Sequence, residues 1–184
     1  MLRLALRLVL RVGAMVKTGI KIDIPGFGRL HLKALCSDYT GTLSYRGKLI
    51  RGVSKRLFDL SEKIDIHVVT SDTRKTARAQ LQGLPVTLQD DMPSNRHDEY
   101  KQDYVENIGV DLNQVAVLGN GRNDCLWLRA VRDAGGLAIA VDAGEGCAVE
   151  TMTSALVFVS GITKALDLLL DEKRLVGTLR VSDQ

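Results

Sequence analysis

The sequence predicts an α/β protein: a three-layer α/β/α sandwich around a mostly parallel, Rossmann-like sheet, preceded by a β-hairpin. Three observations predict it. Short apolar runs that read as buried strands alternate with segments of helical periodicity along the chain. There are 17 glycines but only 3 prolines, which suits glycine-punctuated turns between strands and helices. Polar residues gather where the strand runs stop, the position at which open α/β sheets bind ligands.

The first strand signal is Ile20-Lys21-Ile22-Asp23-Ile24, a strict apolar/polar alternation with one exposed face. Pro25-Gly26-Phe27-Gly28 is a turn, and Arg29-Leu30-His31-Leu32-Lys33 alternates again. Residues 19–37 therefore read as a hairpin whose second arm becomes the first central strand, ending at Asp38. Tyr45 to Ile50 reads as a turn. Val53, Leu57, Leu60 and Ile64 recur at helical spacing and mark a helix. Ile64 to Val69 is a strand that ends in Thr70-Ser71-Asp72. Thr73 to Leu81 reads as helical, with Thr76, Ala77, Gln80 and Leu81 inward. Leu84 to Leu88 is a short extended piece, and Gln89 to Asp98 a polar loop. A helix over Glu99 to Ile108 stops at Gly109. Val115 to Leu118 is a strand ending in Gly119-Asn120-Gly121-Arg122-Asn123-Asp124, and Asp124 opens a helix closed by Gly135-Gly136. Leu137 to Val141 and Ala155 to Val159 are further strands, with a short helix or turn over Ala148 to Thr153 between them. Ile162 to Leu170 is a helix. This assigns one domain to residues 15–172 and a C-terminal tail to 173–184.

At 184 residues the chain is long enough for one full core and short for two. A net charge of +3, with both signs interspersed, gives no sign of nucleic-acid binding. The 3 cysteines, Cys36, Cys125 and Cys147, are few and odd in number, and read as reduced thiols of a cytoplasmic protein. No apolar run approaches the roughly 18 residues of a membrane-spanning helix. Arg3, Arg7 and Arg11 would form a basic stripe on a helical start, which suits a membrane surface, a targeting peptide or a tail. We favour a start at Met15, with residues 1–14 an extension outside the domain.

Three strand ends carry groups capable of chemistry: Asp38, Thr70-Ser71-Asp72, and Asn120 with Asp124. Lys101 can reach the same crevice. A carboxylate nucleophile, a hydroxyl, an ammonium and a carboxylate/amide pair for a hard cation are the parts that phosphoryl transfer needs. Each residue also has a plainer reading. Asp38 and Asp124 could cap helices, Thr70 and Ser71 could be ordinary strand-end hydroxyls, and Lys101 could be a solvated helix residue, with Lys75 as its rival. The order of the four segments favours the chemical reading.

In that order the sequence resembles the haloacid dehalogenase (HAD) superfamily, and within it the P-type ATPase phosphorylation domain and its small soluble relatives. Asp38-Tyr39-Thr40-Gly41-Thr42 is similar to the Asp-Lys-Thr-Gly-Thr phosphorylation motif. Val69-Thr70-Ser71-Asp72-Thr73 with Thr76-Ala77 resembles Thr-Gly-Asp-Asn…Thr-Ala, Lys101 fits the third-motif lysine, and Gly119 to Asp124 resembles Gly-Asp-Gly-x-Asn-Asp. The resemblance implies a HAD-type sheet and a Mg²⁺-dependent phosphatase. Asp38 would become an aspartyl phosphate. The Thr40 carbonyl, Asp38, Asn120 and Asp124 would serve the metal. Thr70, Ser71, Gly41 and Lys101 would hold the phosphoryl group.

Three positions depart from the pattern. Tyr39 replaces the pump lysine. Asn120 replaces an aspartate and removes a negative charge from the metal site. Thr40 stands where most HAD phosphatases carry an acid/base aspartate, a group that contributes roughly 10²–10⁴-fold. The expected activity is phosphoryl transfer through Asp38 with slow dephosphorylation, acting on a small acyl, aryl or anhydride phosphate. The alternative is a catalytically reduced module that binds a phosphorylated ligand or partner. The short segments after Leu43 and after Asp72 leave no room for a large cap or a nucleotide-binding domain. An open site of that kind makes a homo-oligomer the expected assembly.

Overall fold

The computed structural model describes residues 17–72, 75–93 and 95–181. The central sheet has six strands: β3 (Ala34–Ser37), β6 (Asp65–Val69), β7 (Thr87–Gln89), β8 (Val115–Gly119), β9 (Leu137–Asp142) and β10 (Val157–Ser160). Their order is β10-β9-β8-β3-β6-β7 and every pairing is parallel. β3 and β8 are buried at every residue, which explains why they read as unbroken apolar runs rather than alternations.

Successive residues feed opposite faces. Leu35, Ile66, Leu118 and Ile139 join a core under α1 (Val53–Ser61) and α6 (Ile162–Leu170). Cys36, Val117 and Ala138 join a second core under α3 (His97–Glu106) and α4 (Cys125–Asp133), with Val105, Trp127, Leu128 and Val131. A shorter α2 (Ala77–Gln80) and α5 (Val149–Ser154) complete the connections. The three layers match the expected sandwich.

Several elements differ from the sequence reading. The hairpin exists, as β1 (Ile20–Ile24) paired with β2 (Gly28–Leu32), but β2 does not run on into the central sheet. β1 and β2 bury one face only, whereas β3 is covered on both. The change falls at Lys33, which donates its N–H to Gln114 and accepts from Asp65, entering the central sheet. The expected turn after Leu43 is a small antiparallel ribbon, β4 (Ser44–Tyr45) and β5 (Lys48–Leu49). Arg46 and Gly47 at its tip both have positive φ, 53° and 78°, as a two-residue hairpin loop requires. Of the expected helix over 73–81, Thr73 and Arg74 lie outside the described residues, and the described helix spans Ala77–Gln80. Ala77 and Leu81 are buried, but Gln80 is exposed and accepts the Leu49 N–H through its side chain.

The expected tail from 173 holds a helix, α7 (Glu172–Leu179), whose N-cap Asp171 accepts the Lys173 N–H at 3.1 Å. Its Leu175 is fully buried, and the helix packs on α6 and β1. The basic stripe of Arg3, Arg7 and Arg11 lies outside the described residues. No described helix is long and apolar enough to cross a membrane.

Candidate active site

β3 is the middle of the relevant trio, with β6 on one side and β8 on the other. The parallel register sets Ser37 level with Val68 and Leu118, so the residues that follow all three strands emerge at the same edge. Asp38, Thr70 and Asn120 are those residues.

The chain after Asp38 winds tightly. The Tyr39 carbonyl accepts the N–H groups of Leu43 and Ser44 and the Ser44 hydroxyl, each at 3.0 Å. Gly41 has φ 76°, and a Cβ there would meet the Asn120 amide nitrogen at 2.5 Å. Glycine is therefore needed twice over, for the backbone turn and for the approach of the β8 loop. Tyr39 points the other way. Its ring is fully buried in the core beneath α1, and its hydroxyl donates to the Gly47 carbonyl at 3.0 Å, tying down the ribbon.

Lys101 projects from α3 and is fully buried. Its Nζ donates to Asp38 Oδ1 at 2.8 Å and to Asp124 Oδ1 at 2.7 Å. The rival Lys75 is exposed, at a positive φ of 54°. Asp124 is sealed: its Oδ2 accepts the backbone N–H groups of Asn120 and Gly121, both at 2.9 Å. Asp38 keeps a small opening, with 7% of its side chain exposed. Its Oδ2 lies 3.5 Å from the Thr42 hydroxyl, and the Tyr39 backbone N–H also bonds the carboxylate. Two carboxylates thus share one ammonium. Burial pushes the Asp38 carboxyl up to about 6; Lys101 opposes the shift and the negative charge of Asp124 adds to it. Burial also works against the Lys101 charge, but the two carboxylates outweigh it and raise its pKa.

Asn120 turns its Oδ1 toward the Thr42 hydroxyl at 3.1 Å, while its Nδ2 donates to the Gly146 carbonyl at 3.2 Å. Thr70 is buried and accepts the Asp72 N–H at 3.1 Å, which leaves its own proton to donate. Ser71 stands one residue further out, lining a cleft of about 500 Å³ with Asp72, Lys75, Arg78, Asp90 and Asp91. Asp72 has a positive φ of 30°; one of its oxygens accepts the Ala77 N–H at 2.7 Å and the other is buried without a partner.

Sequence reasoning passed over Thr42, although it closes the Asp-x-Thr-Gly-Thr run and its hydroxyl lies between Asp38 and Asn120. It also gave no role to Trp127, whose ring the structure sets 5.1 Å from Lys101 Nζ. No described group of three or more His, Cys, Asp or Glu side chains is arranged to hold a metal. The oxygen donors at the mouth are the Asp38 carboxylate, the Asn120 amide and backbone carbonyls. That set suits a hard cation that keeps several waters, such as Mg²⁺.

No protein-family profile matches the sequence, and no curated protein matches it. Solved structures do. The cobalt-bound deoxy-D-mannose-octulosonate 8-phosphate phosphatase of Haemophilus influenzae superposes with a TM-score of 0.61 at 16% identity, covering 82% of this chain and 94% of that one. The fold is that of the HAD superfamily. A putative HAD-family hydrolase from Streptomyces avermitilis gives 0.57 at 17% identity, covering 73% of this chain and 80% of that chain. The 3-deoxy-D-manno-octulosonate 8-phosphate phosphatase of Moraxella catarrhalis, in complex with magnesium, phosphate and its sugar acid, gives 0.53 at 16% identity over 81% of this chain and 94% of that chain.

Proposed function

We propose that the chain is a Mg²⁺-dependent phosphohydrolase or phosphotransferase that works through an aspartyl phosphate on Asp38. The observation that carries this reading is the shared ammonium: buried Lys101 bonds Asp38 Oδ1 at 2.8 Å and Asp124 Oδ1 at 2.7 Å, while Asp38 Oδ2 makes a long contact of 3.5 Å with the Thr42 hydroxyl. Oδ2 attacks phosphorus as the bond to the leaving oxygen breaks. Lys101 offsets charge on the carboxylate and the incoming phosphoryl oxygens. Thr70 donates its hydroxyl proton to a phosphoryl oxygen, with Ser71 and the Gly41 backbone as further donors. Asp38, the Thr40 carbonyl and Asn120 would hold the metal, and Asp124, with both oxygens already occupied, fixes Lys101 and the Asn120 backbone instead. Bound Mg²⁺ lessens the repulsion between Asp38 and the phosphate.

The Thr40 hydroxyl is too weak an acid to serve an alkoxide leaving group as general acid at neutral pH. Acyl and anhydride phosphates, whose leaving groups depart unprotonated, are the favoured donors, and water attack on the aspartyl phosphate is slow. The motif-level likeness to P-type ATPase phosphorylation domains points the same way, toward a phosphoenzyme that persists. The structurally similar phosphatases are named for a sugar-acid phosphate, which supports a small phosphorylated molecule as substrate. A second copy of the chain is the proposed cover for the open mouth, and the cytoplasm the proposed compartment.

Incubation with acetyl phosphate and Mg²⁺, read by intact-protein mass spectrometry, tests the reading. One added phosphoryl group is expected on wild type and none on Asp38→Asn. Equal labelling of both, or of neither, removes it. Thr40 and Asn120 favour a second reading, a reduced module that binds phosphorylated ligands. Phosphate binding without any turnover of p-nitrophenyl phosphate would mark that outcome.

A further inference from the structure

Lys101 has three N–H donors, and among the described residues two of them find oxygen, on Asp38 and Asp124. The neighbour left for the third is the face of Trp127, whose ring centroid lies 5.1 Å from Nζ. Both residues are fully buried, so water does not dilute the contact. Trp127 is the chain's 1 tryptophan. Its own indole N–H is buried without a hydrogen-bond partner. A buried tryptophan normally finds one. Leucine or phenylalanine would line the core among Cys36, Val105 and Val117 without that loss. What tryptophan adds is the strongest π-face available to a cation.

We propose that Trp127 is a positioning residue for the phosphoryl-transfer centre, holding the Lys101 ammonium midway between Asp38 and Asp124. This rests on the reading of Asp38 as phosphoryl acceptor. The two carboxylates pull the ammonium in the plane they define, and the indole closes the remaining side. When Asp38 turns from a carboxylate into an acyl phosphate, its pull on Lys101 changes while that of Asp124 does not. The ring then keeps Nζ from being drawn onto Asp124 and away from the phosphoryl oxygens.

Two variants separate positioning from packing. Trp127→Phe keeps a π-face, and Trp127→Leu keeps only apolar bulk. Under saturating acetyl phosphate and Mg²⁺, Asp38 labelling is expected to slow about tenfold in the leucine variant and only about two- to threefold in the phenylalanine variant. The half-saturating donor concentration should not move. Equal slowing in both variants, or none in the folded leucine variant, overturns the proposal. An arm independent of activity uses protein labelled with ¹⁵N-lysine. The buried Lys101 ammonium gives a slowly exchanging proton signal, moved upfield by the indole ring current, partly retained in Trp127→Phe and lost in Trp127→Leu. If wild type takes no phosphate, the functional reading falls, and this signal alone decides the contact. An ammonium signal unchanged in the leucine variant overturns it.

Discussion

Asp38 and Asp124 are the same residue type, bound to the same ammonium, yet they lie in two different regions of the molecule. Asp124 closes the β8 loop: two backbone N–H groups take one oxygen, Lys101 takes the other, and no part is exposed. Asp38 ends β3 with one oxygen tied and the other facing the mouth. The difference teaches that burial alone does not make a carboxylate reactive. A fully satisfied one is an anchor. One left half-satisfied beside a cation is poised to form a bond, and it costs stability while it waits.

Removing the ammonium is the most severe way to break the comparison. Lys101→Met leaves two carboxylates buried side by side without a counter-charge, and about 3–5 kcal/mol of stability should be lost. Denaturant unfolding measures that loss, and acetyl phosphate should no longer label the protein. A smaller effect separates the two acids. Asp124→Asn turns an amide N–H₂ toward either Lys101 or the backbone donors and should lower the melting temperature by several degrees. Asp38→Asn abolishes labelling but relieves the excess buried negative charge, so the metal-free variant should melt higher than wild type. Matching losses in both variants would erase the distinction between anchor and nucleophile.

The pH dependence sharpens it further. The Asp38 carboxyl is raised from 3.8 to about 6, chiefly by burial, so the folded chain holds this proton more tightly than the unfolded one. The corresponding stability is fully present below the unfolded value and is lost as pH rises through about 6. Wild type should therefore lose stability relative to Asp38→Asn over that window. Phosphoryl capture should run the opposite way, rising as Asp38 ionises. The mildest test is Asn120→Asp. It restores a charge to the metal donors and should tighten Mg²⁺ binding about tenfold, measured by calorimetry. No change would place the metal away from Asn120.

Much of this was legible in the residues. β3, β8 and β9 are buried on both faces, so their strand runs are continuous, and the polar residues after β3, β6 and β8 line up because the strands are parallel and in register. The break at Lys33 was not legible. Leu30, Leu32, Ala34 and Leu35 alternate or abut smoothly, and only the three-dimensional change from one buried face to two ends the hairpin there. α7 was missed because Leu175, Val176 and Leu179 form a thin apolar face broken by Gly177. Lys101 could be ranked above Lys75 only by motif order; its complete burial is a tertiary fact. Trp127 shows the commonest loss. At helical spacing an aromatic reads as core, and nothing in the sequence says that a cation lies across its face.

The hairpin and α7 meet at the end of the sheet away from the site, where Gly19 bonds Lys63, ahead of β6. There the Val181 N–H donates to the Pro25 carbonyl at 3.0 Å, and α7 packs on β1. The earliest described strand is therefore closed by the last described helix. During synthesis, the contact of β1 with α7 must wait until residues 172–179 have left the ribosome. Until then the six strands can assemble their end of the sheet while the opposite end stays open, an apolar patch for a chaperone to hold.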